Sequence, residues 1–519
     1  MKKIIFPITA ILTASIIYFS CSKDIHERTA DLPALNPANI DIDAGSWKLV
    51  TLSRPDSFAV AAPAAITLPG YIGELNEIKG LQANLTDEQK DKIKYWAAGA
   101  VLRLNELMRE LVAKHNLPPY QNEDDSYPAP NSANPFAYPQ FPFSNPPYAA
   151  RAYGYVSAAQ YDALVACWYY KKLYNRAAPY KNDSTISVNA LAVKTALPSY
   201  PSEQAVLAGV TAEMMKMLFP TEIAYVNAKV EELQLATMAS GACVRSDWSA
   251  GEALGRQVAS VFAARGRADN TSKAVGTPAQ WDSLATATAA KGEIPWHSLE
   301  TPARPPMLPF FGNVRPFLFD SLTVKNVLRP GPPPATSSDL MKFETEEVKS
   351  YVVNPSAEDL KLVQFWADGA GTFTPPGHWN AIASEDFVKE NFSEVRWARN
   401  MALLNMAEMD AAIVCWDVKY FYFNPRPTQM DPSIKTLTGI PNFPSYISGH
   451  STFSGAAAAI LGHIIPSRAA DYTKMADEAG RSRLVGGIHY NASDCKTGLQ
   501  VGTNVGGYAI ERALTDGAE

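Results

Sequence analysis

Trp416-Asp417-Val418-Lys419 followed by Arg426-Pro427, then Phe443-Pro444-Ser445-Tyr446-Ile447-Ser448-Gly449-His450, then Ser482-Arg483 and His489, is the stretch that decides how this chain is read. It gathers three cations (Lys419, Arg426, Arg483), two short donors (Ser448, Gly449) and two imidazoles (His450, His489). A tetrahedral or trigonal-bipyramidal oxyanion needs such a set: cations and backbone N–H groups hold its oxygens, one imidazole bonds the central atom, and another moves a proton. Pro425 and Pro427 bracket Arg426, so a helix carrying Lys419 ends before the arginine, which enters from a loop. Ser448-Gly449-His450 leads into a run of small residues, Ser454 to Ala459, which predicts a buried helix whose N-terminus faces the anion.

The order and intervals of these blocks resemble the superfamily that joins type 2 phosphatidic acid phosphatases with vanadium-dependent haloperoxidases. Trp416, the Phe443-Pro444-Ser445-Tyr446 lead-in, Phe365-Trp366-Ala367-Asp368-Gly369 and Thr374-Pro375-Pro376-Gly377-His378-Trp379-Asn380 look like the bacterial haloperoxidase branch. The resemblance implies a mainly α fold of two tandem, pseudo-twofold-related helical bundles, with the site in the C-terminal one. It implies vanadate on His489, or phosphate or sulfate in the same pocket, held by Lys419, Arg426, Ser448, Gly449 and Arg483. His450 would shuttle the proton while hydrogen peroxide oxidises halide. The alternative it leaves open is a phosphomonoesterase acting on a phosphoester, with His489 as nucleophile forming a phosphohistidine and His450 as leaving-group acid. A non-catalytic oxyanion-binding surface lipoprotein is a third reading. Trp416 and Phe443 are candidates for an apolar wall, His378 for the pocket mouth and Asp368 for a supporting acid. The chain departs from the superfamily pattern twice. Ile447 replaces a proline, and the aspartate expected four residues after the histidine is displaced by one: Ser493 takes its place and Asp494 follows. Asp494, a backbone carbonyl or Asp368 remain the candidates for orienting His489.

The chain also resembles itself. Thr86-Asp87-Glu88-Gln89 leads to Tyr95-Trp96-Ala97 as Ser356-Ala357-Glu358-Asp359 leads to Phe365-Trp366-Ala367, and both openings read as helix-starting capping boxes. Tyr161-Asp162 through Cys167-Trp168 to Lys171 answers Met409-Asp410 through Cys415-Trp416 to Lys419, and Leu197-Pro198-Ser199-Tyr200 answers Phe443-Pro444-Ser445-Tyr446. Ala178, Glu203-Gln204 and Ala242 stand where Arg426, Gly449-His450 and His489 do. We read a duplication in which the first copy keeps the scaffold and loses the chemistry, with Lys171 a solvated or salt-bridged remnant. The resulting divisions are 22–80 as an extension, 80–270 as a degenerate bundle, 271–354 as a Pro-rich connection extended on the surface, and 355–519 as the catalytic bundle.

Composition adds an address. Lys2-Lys3, an apolar run and Ser20-Cys21 at residues 1–21 read as a bacterial lipoprotein export signal with Cys21 acylated, predicting a periplasmic or outer-membrane-attached protein that meets the membrane through its lipid anchor alone. A net charge of −6 over 519 residues gives no footprint for nucleic acid. The spacing of Cys167, Cys243, Cys415 and Cys495 pairs none of them, and buried free thiols are at least as compatible with it.

Overall fold

The structure, a computed structural model, describes residues 32–116, 123, 145–187, 197–300 and 303–519. The lipoprotein-type signal with Cys21, and most of the Pro- and aromatic-rich loop that follows Asp124, lie outside the described residues. Among the described residues every regular element is helical. The principal helices are α1 Pro69–Ala83, α2 Asp87–Ala97, α3 Ala100–His115, α4 Pro146–Tyr174, α5 Glu203–Leu218, α6 Ile223–Ala239, α7 Arg245–Arg267, α8 Pro278–Ala289, α9 Asp339–Val353, α10 Ala357–Phe365, α11 Thr374–Phe387, α12 Glu394–Tyr422, α13 Gly449–Ile464, α14 Ala469–Val485 and α15 Thr497–Ala513. No helix among them is long and apolar enough to cross a membrane.

The long helices carry the architecture. α4 and α12 are each 29 residues and pack against one another across the middle of the molecule. Each ends in a left-handed residue, Asn175 at φ 43° and Phe423 at φ 52°, and each is followed by a single helical turn starting at a proline, Pro179 or Pro427. Thereafter the lengths run in step: α5 and α13 have 16 residues, α6 and α14 have 17, and the 23 residues of α7 answer a six-residue π-helix plus the 17 of α15. Both capping boxes form. Thr86 N donates to Gln89 at 2.9 Å and Ser356 N to Asp359 at 3.3 Å, the shorter aspartate making the longer reach.

Burial explains why the pairs pack so closely. Trp168 and Trp416 are almost fully buried in one apolar core that draws residues from both halves. A Cβ at Gly502 would collide with the Thr452 carbonyl and one at Gly455 with the Leu499 carbonyl, so glycine lets α13 and α15 touch backbone to backbone. Two buried aspartates pin the segments that wrap this core. Asp162 in α4 accepts the N–H groups of Val50, Thr51 and Leu52 at 2.6–2.9 Å, and Asp410 in α12 accepts those of Phe317 and Leu318 at 2.7–3.0 Å. The connection at 271–354 is therefore not simply extended on the surface. Trp296, Phe311, Val314, Val324 and Leu328 are buried in the main core, and the segment includes all of α8 and α9. Its prolines break helices but leave isolated apolar anchors that the wrapping buries.

A candidate oxyanion-binding active site

Lys419 sits in the last turn of α12, where its ammonium reaches past the helix end and donates to the carbonyls of Pro444 (2.8 Å) and Ser445 (2.9 Å). Arg426 caps the single turn Pro427–Met430 from the loop, as the flanking prolines require. Its guanidinium donates to the carbonyls of Phe443 (3.0 and 2.9 Å) and Ile488 (2.8 Å). Arg483 comes from the last turn of α14. Ser448 is the N-cap of α13, its hydroxyl oxygen accepting from Ser451 N at 3.3 Å, so Gly449 and His450 form the first turn with N–H groups unused by the helix. Lys419, Arg426 and Ser448 are fully buried, and Arg483 and His489 are 2% exposed. His450 retains 16% of its side chain in solvent, which places the opening on its side.

His489 resolves the tautomer. Arg426 can only donate, and its guanidinium lies 3.0 Å from His489 Nε2, so Nε2 carries the lone pair and Nδ1 carries the proton. Nδ1–H donates to Asp494 Oδ2 at 2.7 Å. The displaced aspartate is thus the orienting acid, and neither Asp368 nor a backbone carbonyl takes that place. Residues Asn491–Lys496 form a π-helix in which Cys495 N donates to the Tyr490 carbonyl at 3.1 Å. A π-turn accommodates one residue more than an α-turn, so the extra residue is absorbed and the carboxylate still faces the ring. Ser493 points elsewhere, to the Glu344 carboxylate of α9. Ser445, in the quoted stretch but given no role by it, also donates to Asp494 Oδ2, while the Asp494 carbonyl accepts from Ser448 N at 3.0 Å. One residue therefore ties His489 to the start of α13.

The electrostatics follow from packing cations in a dry pocket. Burial pushes Lys419 down to about 7 and Arg426 and Arg483 each down to about 10. Burial, then the charges of Arg426, Lys419 and Arg483, hold His489 well below the usual imidazole range. Burial lifts Asp494 to about 6 against the Ser445 bond and the neighbouring cations. Burial and Arg483 bring His450 down to about 4, opposed by Asp368. An anion among these groups would relieve the mutual repulsion of the cations, and the donors form a cradle for oxyanion oxygens beside the His489 Nε2 lone pair, which accepts from Arg426. Among the described residues no group of three or more His, Cys, Asp and Glu side chains is arranged as a cage for a metal cation. A metal carried as an oxyanion fits this donor set.

Phe443 and Trp416 face each other at 5.0 Å between ring centroids, and Phe443 lies beneath both Lys419 (4.8 Å) and Arg426 (4.9 Å). The apolar wall is thus also a cation–π platform, a role that the sequence signalled only as an aromatic near the motif. Asp368 lies away from His489: Nδ1 of His378 is 3.0 Å from its Oδ1, and Nε2 of His450 is 3.6 Å from its Oδ2. His378, expected at the mouth, is 9% exposed and packed behind Asp368. In the first half, Lys171 is not solvated. It is 2% exposed, donates to the Pro198 carbonyl, and lines a cavity with Trp168, Ala178, Glu203, Gln204 and Ala242.

Comparisons with known proteins agree at two levels. Residues 400–512 match the sequence model of the PAP2 superfamily, a range containing Trp416, Lys419, Arg426, Phe443, Ser448, Gly449, His450, Arg483, His489 and Asp494 but not Asp368 or His378. Among solved structures, the first bacterial vanadium-dependent iodoperoxidase is similar with a TM-score of 0.55 at 24% identity, covering 71% of this chain and 91% of that one. A holo-type bacterial vanadium-dependent chloroperoxidase is similar with a TM-score of 0.50 at 12% identity, covering 74% and 96%. No curated protein matches. Residues 400–512 thus match the PAP2 superfamily, and the chain takes the fold of the bacterial vanadium-dependent haloperoxidases.

Proposed function

We propose that this protein is a vanadate-dependent haloperoxidase-like enzyme that oxidises halide with hydrogen peroxide. One observation carries the reading: a buried, neutral His489 whose Nε2 lone pair faces buried cations while Nδ1–H is held by Asp494. That is the state an imidazole needs to bond the central atom of an oxyanion. Bound vanadate would supply a Lewis-acidic centre that activates peroxide toward halide without a change of oxidation state. Lys419, Arg426 and Arg483 balance the charge of the oxyanion, and the first-turn N–H groups of α13 bond its oxygens. His450, neutral and at the open side of the pocket, takes and returns the proton of the incoming peroxide. Trp416 and Phe443 exclude water beside the oxyanion and leave an apolar surface for a weakly hydrated halide. Vanadium analysis after loading, with paired assays using peroxide plus iodide or bromide and p-nitrophenyl phosphate, tests the reading. Stoichiometric vanadium with halide oxidation is expected; turnover of the phosphoester alone would replace it with phosphomonoesterase chemistry at the same His489.

A further inference from the structure

Asp368 is held in a conformation that its own backbone disfavours. It lies at φ 46°, a left-handed region costly for a residue with a Cβ, in the bend between α10 and α11. Among the described residues its carboxylate has two ion-pair partners, both imidazoles: His378 at 3.0 Å and His450 at 3.6 Å. An ionised carboxylate only accepts, so His378 Nδ1–H donates to it. The His378 ring is itself immobilised, with centroids 4.6 Å from Trp366, 4.9 Å from Phe365 and 6.2 Å from Phe373. Its helix is registered on the helix of His450 by the next residue. Trp379 Nε1 donates to Ser454 Oγ at 2.9 Å, one turn after His450. His450 Nε2 is buried and makes no direct hydrogen bond, so Asp368 Oδ2, just beyond bonding range, is the polar atom it faces.

We infer that His378 is a positioning residue: by donating to Asp368 Oδ1 it keeps Oδ2 turned toward His450 Nε2 and so aims the His450 ring at the oxyanion pocket. This rests on the proposed role of His450 in proton transfer. The chain His378, Asp368, His450 assigns the Pro-Pro-Gly-His-Trp-Asn stretch to catalysis through a second imidazole that never meets the substrate.

The test compares His378→Asn, whose amide nitrogen sits where Nδ1 does, with His378→Leu, which fills similar space without a donor. Turnover in His378→Leu is expected to fall about 10- to 100-fold with KM for peroxide unchanged, and His378→Asn to recover most of it. Crystal structures of both variants read the geometry independently of activity: the Asp368 carboxylate should swing from His450 in the Leu variant and stay in the Asn variant. An Asp368–His450 separation unchanged in His378→Leu, or turnover within about twofold of the parent, overturns the inference. A parent protein inactive toward both substrate classes would instead overturn the proposed function, and the crystallographic comparison would still decide the role of His378.

Discussion

His489 and His450 are both imidazoles lowered by burial, yet their surroundings separate their work. His489 is locked by a donor on one nitrogen and an acceptor on the other, whereas His450 faces the open side with one distant carboxylate. His489→Ala should therefore abolish vanadate binding and activity. His450→Ala should retain binding and lose turnover by about 10²- to 10⁴-fold, the usual range for removing a general acid–base group. Vanadate titration alongside the activity assay reads both, and equal loss of binding in the two variants would show the roles to be misassigned. Lys419 makes a separate claim. It faces Arg426, Asp494 and the Cys415 and Cys495 thiols, and burial takes it from 10.5 to about 7. Because this value is depressed, the group is largely neutral at pH 8. An anion restores the charged form, so binding must take up a proton. Calorimetry with sulfate, which has no titrating group near neutrality, should show uptake approaching one proton at pH 8 and affinity falling from pH 7 to 9. Lys419→Arg, which stays protonated, should remove the uptake; a parent protein that binds sulfate with no proton change at pH 8 would refute the assignment.

At the scale of elements, the π-helix Asn491–Lys496 explains why the sequence left Asp494 unresolved. Counting residues from His489 assumes an α-turn, and nothing in Asn-Ala-Ser-Asp-Cys-Lys announces a π-turn. Its cause lies elsewhere in the chain: Glu344 of α9 accepts from both the backbone N–H (3.1 Å) and the hydroxyl of Ser493, fixing which side chain turns inward. By contrast the start of α13, the end of α12 before Arg426 and both capping boxes were legible, because proline, glycine and N-cap chemistry act within a turn or two. The wrapping of 271–354 was not, because its anchors are isolated apolar residues without period, meaningful only against the surface they meet. The turn yields a prediction. Asp494→Asn should keep the fold and weaken oxyanion affinity by about 10- to 100-fold. The double variant Ser493→Asp, Asp494→Ser restores the carboxylate to the spacing expected from the superfamily, but places it against Glu344. It should fail to recover affinity, and recovery measured by titration would show that the turn readjusts and that Glu344 does not fix it.

Across the whole molecule, the two halves share their order of helices, their long central pair and one core, but they treat charge in opposite ways. In the C-terminal half three buried basic side chains, Lys419, Arg426 and Arg483, stand with two carboxylates, Asp494 and Asp368, which leaves room for an anion. In the N-terminal half the corresponding interior is neutralised internally. Lys171 donates to the Pro198 carbonyl as Lys419 does to that of Pro444, but Glu203 occupies the place of Gly449 and binds Trp168 Nε1 at 2.7 Å. Asp247, which answers Asp494, faces Arg176 at 3.2 Å instead of a histidine. Ala178 and Ala242 supply neither the guanidinium nor the imidazole. A trianion entering that cavity would meet a carboxylate at the helix start and a single ammonium already bonded, and burial would magnify the repulsion. We therefore propose that the first half is scaffold. Lys171→Ala should leave turnover per folded molecule nearly unchanged while lowering Tm, since it leaves Glu203 without its cation in a buried place. Lys419→Ala should lower turnover by orders of magnitude, and loaded protein should hold one vanadium per chain. Two vanadium atoms per chain, or a Lys171 variant as inactive as the Lys419 variant with its Tm intact, would make the N-terminal cavity a second working site and remove the electrostatic distinction between the halves.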